Sequence, residues 1–81
     1  MRPRYTGDAM RAKIQGDVEL EAVVLPGGTV GDVRVVKSLD ARFGLDREGI
    51  RAAKLWTFGP ATLNGGPVPA VVGIVLSFRL H

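Results

Sequence analysis

Two periods share this chain. Between positions 17 and 24 the apolar residues fall at every second place: Val18, Leu20, Ala22 and Val24 alternate with Asp17, Glu19, Glu21 and Val23. Such spacing gives a strand one apolar and one solvated face. Pro26, Gly27 and Gly28 then turn the chain, and a second strand is expected over 29–39 with Val33 and Val35 inward. Val30 is out of phase with Val33, so the spacing predicts a bulge or a late strand start near Gly31. The longest alternation comes last, over 68–80. Val72, Ile74, Leu76, Phe78 and Leu80 share one face there, and Val71, Gly73, Val75, Ser77 and Arg79 the other.

Helical spacing fills the two remaining stretches. Thr6 is placed to cap a short helix running to about Gln15, with Asp8 in the first turn and Gly16 suited to a left-handed stop. Tyr5 before the cap and Met10 at the fourth helical position have the spacing of a hydrophobic staple, and Ile14 extends that narrow stripe. After a loop over 40–44, Asp46 is the expected cap of a second helix, with Leu45 and Ile50 as its staple. Ile50, Ala53 and Trp56 or Thr57 mark its apolar face, and Pro60 stops it by about Phe58.

The order is therefore helix, two hairpin strands, helix, strand. It predicts an α+β domain, α-β-β-α-β, in which a three-stranded antiparallel sheet carries both helices on one face. A helix intervenes before the last strand, so that strand is expected beside the first, at an edge. A long edge strand exposes a row of unpaired amides and carbonyls, and Pro67 and Pro69 guard only its beginning. Gly73 inside it points to a bulge or to close backbone approach.

Composition narrows the picture. Eighty-one residues make one domain, which buries roughly 60–65 % of its unfolded surface. With no cysteine, neither a disulfide framework nor a thiolate metal site is available. The formal charge of +3 permits attraction to anionic partners. Its placement argues against a nucleic-acid stripe: Arg2, Arg4, Arg11 and Lys13 are followed at once by acids, and only five aromatics are present. No apolar run approaches the roughly 20 residues of a spanning helix. The first residues, Met1, Arg2, Pro3 and Arg4, lack a signal-peptide pattern.

Catalysis has little to work with. The single histidine is His81, at a chain end, and no nucleophilic cysteine exists. Ser38 and Ser77 have no base nearby in sequence, and neither metal-ligand nor phosphate-loop spacing occurs. The expectation is a protein that is not an enzyme and uses no cofactor or metal. Lys37, Arg42 and Arg47 could rim the loop after the second strand, but solvation of a loop explains them. Trp56 and Phe58 read as core anchors. Tyr5 is open between closing the core and lining a groove.

RPRY at 2–5, the helix ending in Gly16, ELEAVV, PGGTV, DVRVVKSLD, LWTFGPATLNGGPVP and a closing apolar strand together resemble the C-terminal domain of TonB proteins, in order and over nearly the whole chain. The resemblance implies a terminal domain, 1–81, of a periplasmic energy transducer whose inner-membrane anchor and proline-rich linker lie outside this sequence. Its partners would be TonB-dependent outer-membrane receptors, with inner-membrane motor proteins engaged by the missing part, and a homodimer is possible. The domain would bind the receptor's extended TonB-box peptide by strand addition and couple proton-motive force to uptake. The residues implied for the partner are Arg2, Arg4, Tyr5, Gly73, Val75, Ser77 and Arg79. Family members often carry Gln-Pro-x-Tyr-Pro before the first helix. Here Arg2 replaces the glutamine, which favours an acidic peptide, and Thr6 replaces the second proline. The alternative is a TonB- or TolA-like interaction domain of another envelope signalling or assembly protein.

Overall fold

The computed structural model describes residues 3–59 and 61–80. Among these residues five strands and two helices follow in the order α1 (Gly7–Arg11), β1 (Gly16–Val24), β2 (Val30–Lys37), α2 (Leu45–Lys54), β3 (Ala61–Leu63), β4 (Gly66–Val68) and β5 (Ala70–Phe78). The main sheet is antiparallel with strand order β2-β1-β5, so the last strand lies beside the first at an edge, as the sequence predicts. Val18, Leu20, Ala22 and Val24 point to one face with Ile74, Leu76 and Phe78, and Ala9, Leu45 and Ala53 of the two helices join the same cluster. Both helices thus cover one face. Burying Phe78, Leu20, Leu45 and Val18 is worth roughly 1.5–3 kcal/mol each.

The two ladders of β1 differ in continuity. Against β5 the register runs unbroken from Gly16 opposite Phe78 to Val24 opposite Ala70. Against β2 it shifts twice. One shift lies between Ala22 and Val24, which face Val33 and Val30, so the irregularity expected near Gly31 is present. The other sets Glu19 and Leu20 against Lys37 and Val35, with Val36 as the extra residue.

Helix α1 is shorter than its pattern suggests, and Gly16 is not its stop. Lys13 takes the left-handed position (φ 56°), and the Lys13 and Ile14 amides return to the carbonyls of Met10 and Ala9, both at 3.0 Å. This is a Schellman end, and Gly16 is left free to begin β1. Thr6 does cap: its Oγ1 accepts from the Ala9 amide at 3.2 Å and donates to the Phe43 carbonyl at 2.8 Å. A five-residue helix cannot stand alone, and these bonds hold it. Met10 is 45 % exposed, so the stripe runs through buried Ala9 instead.

Asp46 is a second correction. The cap position of α2 belongs to Gly44, left-handed at φ 92°, and Asp46 lies buried one residue into the helix. Its carboxylate accepts from the Ser38 hydroxyl and from the Leu39 and Asp40 amides, both at 3.0 Å, so it organises the loop before the helix. Asp40 complements it, accepting from the amides of Arg42 and Phe43 at 3.0 Å and Leu45 at 3.3 Å. Leu45 is helical and buried, which removes the staple expected of it.

The second helix ends at Lys54, before Trp56 and Phe58. Those aromatics lie in an extended segment that bridges to the first hairpin: Thr57 pairs with Thr29, and the Phe58 amide donates to the Gly28 carbonyl at 2.8 Å. They pack on the core from there, with ring centroids 6.2 Å apart. Pro60, named as the helix stop, lies outside the described residues. An addition to the expected fold follows. Asn64 and Gly65, both at positive φ, close a small hairpin in which β3 and β4 pair only with each other. The apolar stretch before position 70 is therefore a separate ribbon rather than the start of the last strand.

Candidate functional site

Among the described residues the main sheet has two free edges, β2 and β5. They differ chemically. Along β2 stand Asp32, Arg34 and Lys37, and its pairing with β1 is bent by two irregularities. Charges and bulges are the usual means by which an edge is made a poor template for another strand. Edge β5 has neither. Not one charged residue occurs between Lys54 and Arg79, and the β5 ladder is regular throughout.

Period-two geometry sorts the residues of β5. Ile74, Leu76 and Phe78 are buried beneath the helices, while Val71, Gly73, Val75 and Ser77 stand on the open face. Val71 is 63 % and Val75 59 % exposed. Within the chain itself neither a bulge nor a close approach accounts for Gly73. The ladder does not bulge there, and a Cβ built on Gly73 meets nothing within 4 Å.

The C-terminal end of β5 is pinned to β1 by polar contacts. Ser77 pairs opposite Asp17 and its hydroxyl donates to Asp17 Oδ1 at 2.7 Å. Arg79 reaches the same oxygen through Nη2 at 3.0 Å and the Phe78 carbonyl through Nη1 at 3.0 Å. The Ser77 hydrogen bond, opposed by burial and aided by the charge of Arg79, holds the Asp17 carboxyl below the usual carboxylate range. Gln15, just before β1, adds a third tie, accepting from the Leu80 amide at 2.7 Å. Ser77 and Arg79 are thus partly committed within the chain.

The remaining acids of β1 stand on the same open face but pair toward β2. Glu21 binds Arg34 through two contacts, at 2.9 and 3.0 Å, and Glu19 lies 4.0 Å from Lys37. Their charge is answered from β2, leaving the β5 side of the open face uncharged up to Arg79.

Tyr5 closes the core. Its ring meets Phe78 edge-on at 5.3 Å, and its hydroxyl donates to the Ile14 carbonyl. That contact brings the N-terminal segment to the C-terminal end of β5, on the helical side of the sheet, opposite the face of Ser77 and Arg79. Arg4 is exposed, and Arg2 lies outside the described residues. Apart from Arg2, the residues singled out in the sequence therefore divide between one strand edge and one segment packed beside its end. Asp17, Gln15 and Val71 were missed. Only the register of β1 against β5 reveals Asp17, and Gln15 lies one residue before that ladder begins; Val71 was already in phase with Gly73 and Val75.

Among the described residues no group of three or more His, Asp or Glu could hold a metal ion. No helix there is long and apolar enough to cross a membrane. A cleft of about 260 Å³ lies between the two helix starts, lined by Thr6, Asp8, Arg42, Phe43, Arg47 and Glu48. Its polar walls pair locally, Asp8 with Arg11 and Thr6 with Phe43.

The sequence model of the family described as Gram-negative bacterial TonB protein C-terminal matches residues 1–80. Protein TonB of Xanthomonas campestris pv. campestris is 38 % identical over 79 residues, covering 98 % of this chain and 35 % of that protein. Protein tonB2 of Pseudomonas aeruginosa is 33 % identical over 79 residues, 98 % of this chain and 29 % of that protein. The chain thus spans about a third of the length of the curated relatives it matches. The solution NMR structure of the Pseudomonas aeruginosa TonB CTD superposes with a TM-score of 0.75 at 27 % identity, over 99 % of this chain and 80 % of that one.

Proposed function

We propose that this chain, which belongs to the family of Gram-negative bacterial TonB C-terminal domains, binds an extended peptide of an outer-membrane receptor by strand addition to the free edge of β5. In the parent protein this is the periplasmic step that couples inner-membrane proton-motive force to uptake. The observation that carries the reading is the contrast between the edges: β2 is charged and bulged, whereas β5 is regular and uncharged from Ala70 to Phe78. Strand addition draws affinity from main-chain hydrogen bonds and needs a long, available edge of this kind. The task is binding, and no catalytic group is required for it. Gly73, Val75 and Ser77 would border the added strand. Arg79, and Arg4 on the segment beside the strand's end, would favour an acidic residue in the peptide, as would Arg2, which lies outside the described residues.

The test is an amide-shift titration of the labelled 81-residue chain with plug peptides containing the TonB box of receptors from the same organism, alongside scrambled controls. Shifts concentrated along 71–79 and around Tyr5 are expected. Shifts along β2, or no response from a monomeric chain, would overturn the reading and favour an adaptor with another kind of partner.

A further inference from the structure

Gly73 is unexplained by the domain's own fold. Glycine in a strand interior weakens the strand, and it is normally retained where the backbone is bent, where φ is positive, or where another group approaches too closely for a Cβ. None of these holds here. The β1–β5 register passes through Gly73 without a shift, and its φ lies outside the left-handed range. A Cβ at this position enters open space.

The surroundings give the vacancy a shape. On its own strand Gly73 is flanked on the same face by the exposed side chains of Val71 and Val75. On β1 its partner is Glu21, whose carboxylate is drawn toward β2 by Arg34 at 2.9 Å. The result is a notch with a glycine floor and two valine walls, uncharged and open toward the free edge. We infer that this notch takes one large apolar or aromatic side chain from the strand that docks on β5, making Gly73 the position that selects the peptide. A bulky side chain lying across a neighbouring edge glycine is the known way in which a sheet fills such a gap. The inference rests on strand addition and names the side-chain chemistry that this mode would prefer.

Two substitutions test it, Gly73→Ala and Gly73→Thr, both outward-facing, with a Cβ that meets nothing within 4 Å. Each is expected to raise the denaturant midpoint of the free domain, because a side chain favours strand conformation over glycine. Each is expected also to weaken binding of the plug peptide, Gly73→Thr by about fivefold. The peptide is then scanned with alanine. One position should lose about fivefold on the unaltered domain and nothing on Gly73→Thr. A merely structural role for Gly73 predicts lower stability and no coupling to any one peptide position, and either result overturns the inference. Equal binding by all three proteins overturns it also, while leaving strand addition intact. If no plug peptide binds the unaltered chain, strand addition itself fails and the notch loses its occupant.

Discussion

Methylating the peptide amides one at a time tests strand addition without touching a side chain of either partner. An edge strand points both main-chain groups of alternate residues outward, so the nine residues of β5 present about four residues, each with a donor and an acceptor. At about 1 kcal/mol net per hydrogen bond, such a ladder contributes about 8 kcal/mol. Lost translational and rotational freedom costs at least about 4 kcal/mol, which leaves about 4 kcal/mol, a millimolar Kd. Main-chain pairing alone is therefore weak, and side chains seated against β5 have to supply tighter binding. Each amide that faces β5 should cost about 1 kcal/mol when methylated, roughly fivefold in Kd, and each amide facing away should cost little. Calorimetry or shift titration of the methyl scan would show losses at every second position. A helix docking on side chains would lose at every interior position, because each of its amides donates to a carbonyl within the helix, so losses without alternation would remove the ladder from the account.

Three further outcomes follow from the geometry. Asp46→Ala deprives the Leu39 and Asp40 amides and the Ser38 hydroxyl of their acceptor, so urea unfolding should show a loss of about 2–4 kcal/mol; a loss under about 0.5 kcal/mol would mean that the loop does not depend on the carboxylate. Gly49→Ala gains about 1 kcal/mol of helix propensity, but its Cβ would stand 3.1 Å from Val18 Cγ1, and overpacking costs about 1–3 kcal/mol, so α2 should be destabilised by up to about 2 kcal/mol. A more stable variant would show that the sheet yields beneath the helix. The Asp17 carboxyl should titrate below an ordinary aspartate when followed by carboxyl-carbon NMR, and Ser77→Ala should move it upward. Because folding depresses this pKa, the contact stabilises the domain above the unfolded pKa and that contribution disappears as pH falls through the folded one. Identical titrations of the two proteins would contradict the assignment of Ser77 as the main cause.

Much of this architecture was legible because period-two patterns are local and survive without knowledge of neighbours. Val18 to Val24 and Ile74 to Phe78 announce their buried faces, and the intervening helix forces the last strand to the far side of β1. Helix ends were less legible. Thr6, Gly16, Asp46 and Pro60 are all reasonable caps or stops by residue type, yet only Thr6 acts as one among those described. Lys13 in the left-handed region and Gly44 at the start of α2 are chosen by where the chain must go next, which residue type does not report. The polar pins failed for a similar reason. Asp17 and Ser77 are 60 positions apart, and nothing short of the β1–β5 register brings them face to face.

The same register bears on how a docked strand would be pulled. Load applied along an added strand reaches β5 first and passes to β1 through nine consecutive residue pairs, with Ser77 and Arg79 fastened to Asp17 at one end. From β1 to β2 the ladder is broken at two points, and each break leaves residues outside the pairing. A strand pulled lengthwise divides the load among bonds that strain together, which requires them to be contiguous and in phase. The β1–β5 ladder meets that condition and the β1–β2 ladder does not. An added strand on β2 would instead load a bulged ladder in which the pairs beside Gly31 and Val36 carry unequal shares. Continuity of register therefore selects the same edge as the absence of charge. The two criteria are physically independent, since one concerns the backbone hydrogen bonds within the sheet and the other the side chains that a new strand must pass.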